Sequence, residues 1–366
     1  MRVICDGLDL SDAVSTVLRA TSNKTTNPIL EGIKLKATEE YLELSATDLE
    51  LSIVKRIKAE VHEPGETVVP GSFFSNYLRK LTDEQILLEL TDNSLIRISY
   101  TDSEGFLQCY KAVEFPSFKE IESEKYFEIK QKDLKDIINK TIFAVAMNDN
   151  RPILKGVLFE VNGDTLSSVA LDGYRMAKCD KHLIGTYEPF SIIIPSRSLN
   201  EIAKLVGDVD DVVKVVLQKN HLMIKLESVN ILTRLIEGEF INYKHLIPNE
   251  FTTTAVINHS QFENTLERAS LLARVDKNNV VKFDIKENNI LITSNSEIGN
   301  IKENIAVNLE GSDIVIAFNS RYFMDVLKCL QDDFVKINLN SSYSPCAITP
   351  VDGSDYFYLI LPVKLA

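Results

Sequence analysis

The chain has 366 residues, 45% of them hydrophobic, with five cysteines and a formal net charge of −13. That length and apolar content suit two or three packed domains and exclude a disordered chain. No apolar run approaches the roughly 20 residues that span a bilayer, which excludes a helical membrane protein. The five cysteines, scattered and without a Cys-x-x-Cys, point to a reducing compartment and against a disulfide or zinc framework.

In chain order, a strand at Val3–Ile4 leads into a helix with the apolar stripe Leu10, Ala13, Val14 and Val17, for which Asp9 or Ser11 is the expected cap. Asp6, just after a four-residue apolar start, argues against a signal peptide. Alternating runs at Tyr41–Leu44 with Leu51–Ile57 read as antiparallel strands. The phrase VVPGSFFSNYLRKL (68–81) then carries Phe74, Tyr77, Leu78 and Leu81 at helical spacing. Strands at Ile86–Leu90 and Leu95–Tyr100 follow, around the turn Thr91-Asp92-Asn93.

The same order then recurs. Phe127–Ile129 leads into Leu134, Ile137, Ile138 and Thr141. Val157–Val161 and Thr165–Ala170 flank Asn162-Gly163-Asp164, which reads as a hairpin turn. IIPSRSLNEIAKLV (193–206) matches the first phrase, and Val212–Leu217 with Leu222–Leu226 surround Lys219-Asn220. The last third opens at Ala255–Ile257 with the stripe Phe262, Thr265, Leu266 and Ala269 and the expected cap Ser260. It turns at Glu287-Asn288-Asn289 and repeats the phrase as AFNSRYFMDVLKCL (317–330). The phrases start at 68, 193 and 317, so three copies of one α+β unit are expected, with domains 1–120, 121–250 and 251–366.

The charges are placed unevenly. Arg79, Lys204 and Lys328 hold one repeated position; Ser72, Arg197 and Arg321 hold another, seven residues earlier. At about 100° per residue both lie opposite the apolar stripe. The six helical segments sum to +5, leaving −18 for the rest of the chain. An acidic protein with cationic helix faces suits loose, sequence-blind contact with a polyanion. Catalytic signatures are missing. The five histidines (His62, His182, His221, His245, His259) lack ligand spacing, and there is no phosphate loop, dinucleotide fingerprint or nucleophile elbow. No metal and no cofactor are expected.

Several phrases, in order along the chain, together resemble the bacterial DNA polymerase III beta subunit, the sliding clamp. They are Asn27-Pro28-Ile29-Leu30, Thr47-Asp48-Leu49-Glu50, Glu63-Pro64-Gly65, Phe115-Pro116 and Leu171-Asp172-Gly173-Tyr174-Arg175-Met176-Ala177. Glu237-Gly238-Glu239-Phe240, Phe318-Asn319 and the ending Tyr358–Leu365 complete the set. The resemblance implies a non-catalytic processivity factor of three similar domains, closed by a head-to-tail homodimer into a ring. Helices would line its central hole and antiparallel sheets form its outside. It implies double-stranded DNA, the replicative polymerase, the clamp loader and repair proteins as partners, no membrane, and a cytoplasmic location.

By resemblance, DNA-facing residues include Lys24, Asn148, Arg151 and Arg197; the helix-face reading adds Arg79, Lys204, Arg321 and Lys328. The resemblance also implies a groove that takes short partner peptides. Its first wall is Leu154, Leu171, Gly173, Tyr174, Arg175, Met176, Ile241, His245 and Leu246. Its second is Tyr322, Tyr343, Leu359, Leu361, Pro362, Val363 and Lys364. Pro362 cannot donate to a strand ladder, so the tail is expected to peel away over the Asp172–Met176 turn. In this chain Leu171 and Tyr174 stand where Thr and His are frequent, Ile241-Asn242 replaces Pro-Asp, and the end is Val-Lys-Leu-Ala. Phe106 and Leu107 against Leu271 and Leu272 are the implied dimer contacts. The alternative is an enzyme on a threefold repeated α+β scaffold, using Asp172, Arg175 and His245.

Overall fold

The computed structural model describes residues 1–22, 25–81, 85–118, 121–275 and 279–364. The first third holds β1 (Arg2–Asp6), α1 (Gly7–Leu18), β2 (Gly32–Ala37), β3 (Tyr41–Thr47), β4 (Leu51–Lys58) and β5 (Glu60–Glu63). It continues with β6 (Gly65–Pro70), α2 (Gly71–Leu78), β7 (Gln85–Leu90), β8 (Leu95–Tyr100) and β9 (Ser103–Gln108). The second holds β10 (Tyr126–Lys130), α3 (Gln131–Asn139), β11 (Gly156–Leu171), β12 (Arg175–Pro195), α4 (Ser196–Leu205), β13 (Val212–Gln218), β14 (His221–Lys225) and β15 (Val229–Arg234). The third opens with β16 (Thr253–Asn258), α5 (His259–Ala273), β17 (Val280–Lys286), β18 (Asn289–Ser296), β19 (Gly299–Ala306) and β20 (Asn308–Gly311). It closes with β21 (Ile314–Asn319), α6 (Ser320–Leu327), β22 (Phe334–Leu339), β23 (Cys346–Pro350) and β24 (Tyr356–Ile360).

Each of these six α-helices follows its strand without a loop, and before α1, α5 and α6 the last strand residue caps the helix with its side chain. Asp6, not Asp9 or Ser11, accepts from the backbone N–H groups of Leu8 and Asp9 at 2.9 and 3.0 Å. Asn258, not Ser260, accepts from Gln261 N–H, and Asn319 from Arg321 N–H. The expected stripes are the buried ones: Leu10, Ala13, Val14 and Val17 on α1, Leu199, Ile202 and Ala203 on α4, and Phe323, Val326 and Leu327 on α6. Four of the five cysteines are buried among apolar neighbours, and burial pushes the Cys5 and Cys179 thiols up to about 12.

The chain forms two compact units, Met1–Gln131 with Lys204–Leu235, and Lys132–Ala203 with Ile236–Ala366. The first contains a five-stranded sheet, β5-β1-β7-β8-β9, and an eight-stranded one, β10-β13-β14-β15-β4-β3-β2-β6. The second contains β11-β12-β24-β23-β22-β16-β20 and β19-β18-β17-β21. All pairings among these named strands are antiparallel.

The repeat is visible bond by bond. Tyr110 N–H donates to Val68 O at 2.8 Å, Ile236 N–H to Ile193 O at 2.9 Å and Val363 N–H to Ala317 O at 2.8 Å. These bonds align β9, β15 and β24 residue for residue. The turns that open β4, β12 and β19 match too: Asp48 and Asp172 each accept two backbone N–H groups, and Ser296 accepts that of Ile298. Where one third meets the next, two of these aligned strands pair edge to edge. β15 pairs with β4 over five residues, Val229–Lys55 to Thr233–Leu51, and Arg234 N–H extends the ladder to Glu50 O at 2.8 Å. β24 pairs with β12 over five, Tyr356–Cys179 to Ile360–Arg175, and Leu361 N–H extends it to Tyr174 O at 2.9 Å.

At Asn162-Gly163-Asp164 the register of β11 against β12 shifts on both sides of Gly163, where the turn was expected. The two halves of β11 pair as β2 and β3 do in the first copy: Gly156 faces Pro195 as Gly32 faces Pro70, and Thr165 faces His182 as Tyr41 faces Lys58. Gly163 has φ 64°, which glycine adopts without strain and tight turns use. Around α5 and α6 the core is built of rings: Phe262, Phe283, Phe318 and Phe323 are fully buried, with centroids 4.9 to 6.0 Å apart. Phe283→Ala removes the ring common to three of these contacts. It should cost about 3–5 kcal/mol, read as a lower denaturant midpoint; a loss below about 1 kcal/mol would mean the cluster repacks.

Candidate partner groove and nucleic-acid face

Arg79, Arg197, Lys204, Arg321 and Lys328 are all exposed, each on the side of its helix away from the buried stripe. Arg79 and Lys328 occupy the same structural position, the C-cap of α2 and of α6, where a cation also meets the negative end of the helix dipole. Asn148 is exposed on the segment before the turn Pro152–Lys155. Arg151 is exposed but is held by Asp149 through two side-chain bonds of 3.0 and 2.9 Å. The Arg151 bonds pull the Asp149 carboxyl down to about 2, so the pair stays ionised and Arg151 offers less net charge than a lone cation. Lys24 lies outside the described residues.

The expected groove residues gather in the second unit. Leu154, Leu171, Met176 and Leu359 are 0 to 5% exposed and belong to one apolar cluster, with Ile241 packed against it. They are its floor. Tyr243 joins the same cluster and its hydroxyl donates to Glu160, which anchors the turn Tyr243–Leu246 and presents His245 and Leu246 to solvent. Tyr174, Leu246 and Leu361 remain 62, 48 and 40% exposed, an unusual density of open apolar surface beside a closed core.

The turn that carries Gly173 and Tyr174 is rigid for reasons of charge. Arg175 donates from Nε to Asp172 at 3.2 Å, from Nη1 to Asp325, and from Nη2 to the Phe143 carbonyl at 2.6 Å. Its guanidinium also lies 4.7 Å from the Tyr322 ring centre, and Tyr322 stacks on Tyr174 at 6.2 Å. With all three guanidinium nitrogens engaged, Arg175 positions the turn and has little left for substrate chemistry. Burial, then the nearby Asp172, pushes the Tyr322 hydroxyl upward, so it stays protonated. Phe143 and Asp325 were missed in the sequence; Asp325 is 150 residues from Arg175.

The tail follows a path that the second copy also takes with Leu235 in place of Pro362. Leu361 N–H bonds to Tyr174 O, Val363 N–H bonds to Ala317 O, and Pro362 between them has no donor to place. Leu361 thus lies against the Asp172–Arg175 turn and Val363 against Ala317, with Pro362 and Val363 half-buried and Lys364 exposed. Tyr343 is 76% exposed in a turn held by Ser341 and Ser344 and is not part of the apolar cluster. Among the described residues no three His, Cys, Asp or Glu side chains form a metal-binding group. Also among them, no helix is long and apolar enough to cross a membrane.

The chain matches three successive domains of one family. The DNA polymerase III beta subunit N-terminal domain matches residues 1–119, the central domain 128–242 and the C-terminal domain 244–364. The beta sliding clamp of Staphylococcus epidermidis is 32% identical over 361 residues, 96% of each chain, and that of Bacillus subtilis 32% over 367 residues, 97% of each. The crystal structure of the Bacillus subtilis DNA polymerase sliding clamp superposes with a TM-score of 0.96 at 31% identity over the whole of both chains. A Pseudomonas aeruginosa sliding clamp bound to griselimycin does so at 0.93 and 27%, again over the whole of both chains. This chain belongs to the DNA polymerase III beta subunit family, the beta sliding clamps.

Proposed function

We propose that this protein is a ring-forming sliding clamp, a non-catalytic subunit that encircles duplex DNA and tethers the replicative polymerase to it. The reading rests on one observation above the rest: the same strand–helix unit is built three times, each copy showing a cation at the same helix position. A topological link needs only weak, sequence-blind phosphate contacts, since tight pairing would stall sliding. Three clamp domains, 1–120, 121–250 and 251–366, supply six helices per chain, and two chains close the ring. Chromosomal DNA places it in the cytoplasm. Retention on nicked circular DNA, lost on linearisation, is the outcome expected of a ring; equal retention on both forms would contradict it.

Arg79, Lys204 and Lys328, with Arg197 and Arg321, are the proposed DNA contacts, and Lys24, Asn148 and Arg151 contribute from loops. Replacing Arg79, Lys204 and Lys328 together by Glu should leave the fold intact, because all three are exposed. Loading onto DNA should fall, most at low salt, where screening is weakest. Unchanged loading across salt concentrations would show that this face does not meet the duplex.

The groove over the Leu154–Leu171–Met176–Leu359 floor is proposed to seat an apolar peptide from the polymerase, the clamp loader or repair proteins, with Tyr174, Leu246 and Leu361 as the exposed walls. Leu246→Ala with Leu361→Ala should weaken a polymerase-derived clamp-binding peptide by about 2 kcal/mol in calorimetry, with the thermal midpoint nearly unmoved. Equal affinity would place the groove elsewhere.

For the dimer, Phe106 and Leu271 are 54 and 61% exposed and suit an interface, whereas Leu272 is only 8% exposed and is largely core. Phe106→Asp should therefore give folded monomers by sedimentation at micromolar concentration. Leu272→Asp should lower stability as well. A Phe106→Asp variant that sediments as the dimer would displace the interface.

A further inference from the structure

Met176, Leu359 and Ala347 are neighbours across β12, β24 and β23 and form one apolar row on a face of that sheet. Two residues along each strand, on the same face, the next row reads Lys178, Phe357 and Thr349, with Lys336 of β22 opposite Thr349. Ile247 and Phe251, from the segment after the Tyr243–Leu246 turn, pack on the apolar cluster and also line this second row. Together with the turn around Gly353 they enclose a cleft of about 450 Å³. None of the residues assigned to the peptide groove lines it.

The two lysines of the cleft differ in what surrounds them. Lys178 is paired with Asp180, which also accepts from the Ser167 hydroxyl at 2.6 Å, so its charge is already balanced. Lys336 makes no ion pair among the described residues, and its ammonium lies 3.5 Å from the Val351 carbonyl. Next to it Asn338 is 5% exposed; its oxygen accepts from Thr254 Oγ1 and its amide nitrogen donates to Thr349 Oγ1, each at 3.1 Å. With its oxygen accepting, Thr349 keeps its own hydroxyl proton to donate. Ile247, Phe251, Pro350 and Phe357 supply the apolar wall. An ammonium without a counter-charge, set beside a hydroxyl donor and two rings, offers what a carboxylate on an apolar body needs.

We propose that this cleft binds a small organic monocarboxylate with an aromatic or apolar body. Lys336 Nζ and Thr349 Oγ1 hold the carboxylate, and the body sets against Phe251 and Phe357. One unbalanced cation selects a single negative charge; a dianion such as a phosphate monoester brings a second charge with nothing to meet it. The apolar body is needed because an ammonium and a carboxylate pairing near water gain little, so ring burial supplies the rest. The volume lies within the range of small-molecule sites. Every residue named belongs to the second compact unit, so the site is complete in a single chain and requires neither a second copy nor DNA.

Hydrocinnamate, titrated into the full chain and followed by saturation-transfer NMR, tests the site, with hydrocinnamide, propanoate and inorganic phosphate as comparisons. The acid should bind with a dissociation constant of about 1 mM, and the amide, alike in shape but uncharged, roughly tenfold more weakly. Propanoate should bind more weakly than hydrocinnamate for want of a ring, and phosphate should not displace the acid. K336Q should abolish the preference for acid over amide with the thermal midpoint unmoved, since Lys336 makes no ion pair among the described residues. T349V should weaken the acid several-fold, and T349S, which keeps the hydroxyl, should restore it. Acid and amide binding alike, propanoate binding as tightly as the ringed acid, or displacement by phosphate would overturn the ligand class. A preference that survives K336Q, or a wild-type chain that binds none of these probes, would overturn the site.

Discussion

An open strand edge is the constraint on which the rest of this structure depends. Each third of the chain ends one sheet in a strand whose outward N–H and C=O groups need partners, and such a row joins whatever strand presents itself. Here the partner is built in. β15 closes on β4 and β24 on β12, so the thirds are joined by main-chain ladders of the same kind that hold each sheet. A joint made of backbone bonds is insensitive to side-chain identity, which lets Leu232 beside Ser52 and Leu359 beside Met176 occupy the same geometry. It also transmits position: the ladder between β24 and β12 is what lays the tail against the Asp172–Arg175 turn.

The helices answer a different demand. Their apolar stripes are spent on the cores, so the opposite side is free to carry charge, and in an acidic chain that side is where cations recur. Arg79 and Lys328 at helix C-caps gain from the dipole as well, so the fold tolerates them at little cost. Asp149 tempers the loop cation Arg151 through two side-chain bonds.

Helices and repeat were legible in the sequence because a 3.6-residue apolar period recurring at a fixed interval is a strong signal. Their caps were not. With strand running straight into helix, Asp6 and Asn258 look like strand residues, and the search for a cap moved inward to Asp9, Ser11 and Ser260. Asn162-Gly163-Asp164 was legible as a turn because Asn-Gly-Asp tolerates positive φ, and the pairing changes register there. The proposed groove came from resemblance alone. Leu154, Leu171 and Met176 look like core because they are core, and the exposed Tyr174, Leu246 and Leu361 carry no periodic signal that would single them out. Asp325 and the Phe143 carbonyl, which fix Arg175, are remote in sequence and carry no motif.

Threefold repetition raises the question of how the second copy differs from its counterparts at the proposed groove. The residues equivalent to Leu171, Gly173, Met176, Ile241 and Leu359 are Thr47, Leu49, Ser52, Phe115 and Leu232. Those five line a cavity of only about 170 Å³ in the first unit. Thr47 and Ser52 bond to each other at 2.7 Å, so the floor there is polar and already satisfied. Phe115 is 7% exposed and packed against Ile29, Leu30 and Val68, and Phe118 closes the wall of the same cavity. Where the second unit has glycine, the first has Leu49, held at φ 77°, a conformation a leucine adopts only under strain. In the third copy the matching floor positions are Asn295 and Asn300, polar again. On the proposed reading, an apolar peptide would meet polar positions in the first and third copies and apolar ones in the second. The repeat supplies the scaffold three times, and divergence at a handful of positions makes the copies chemically unlike.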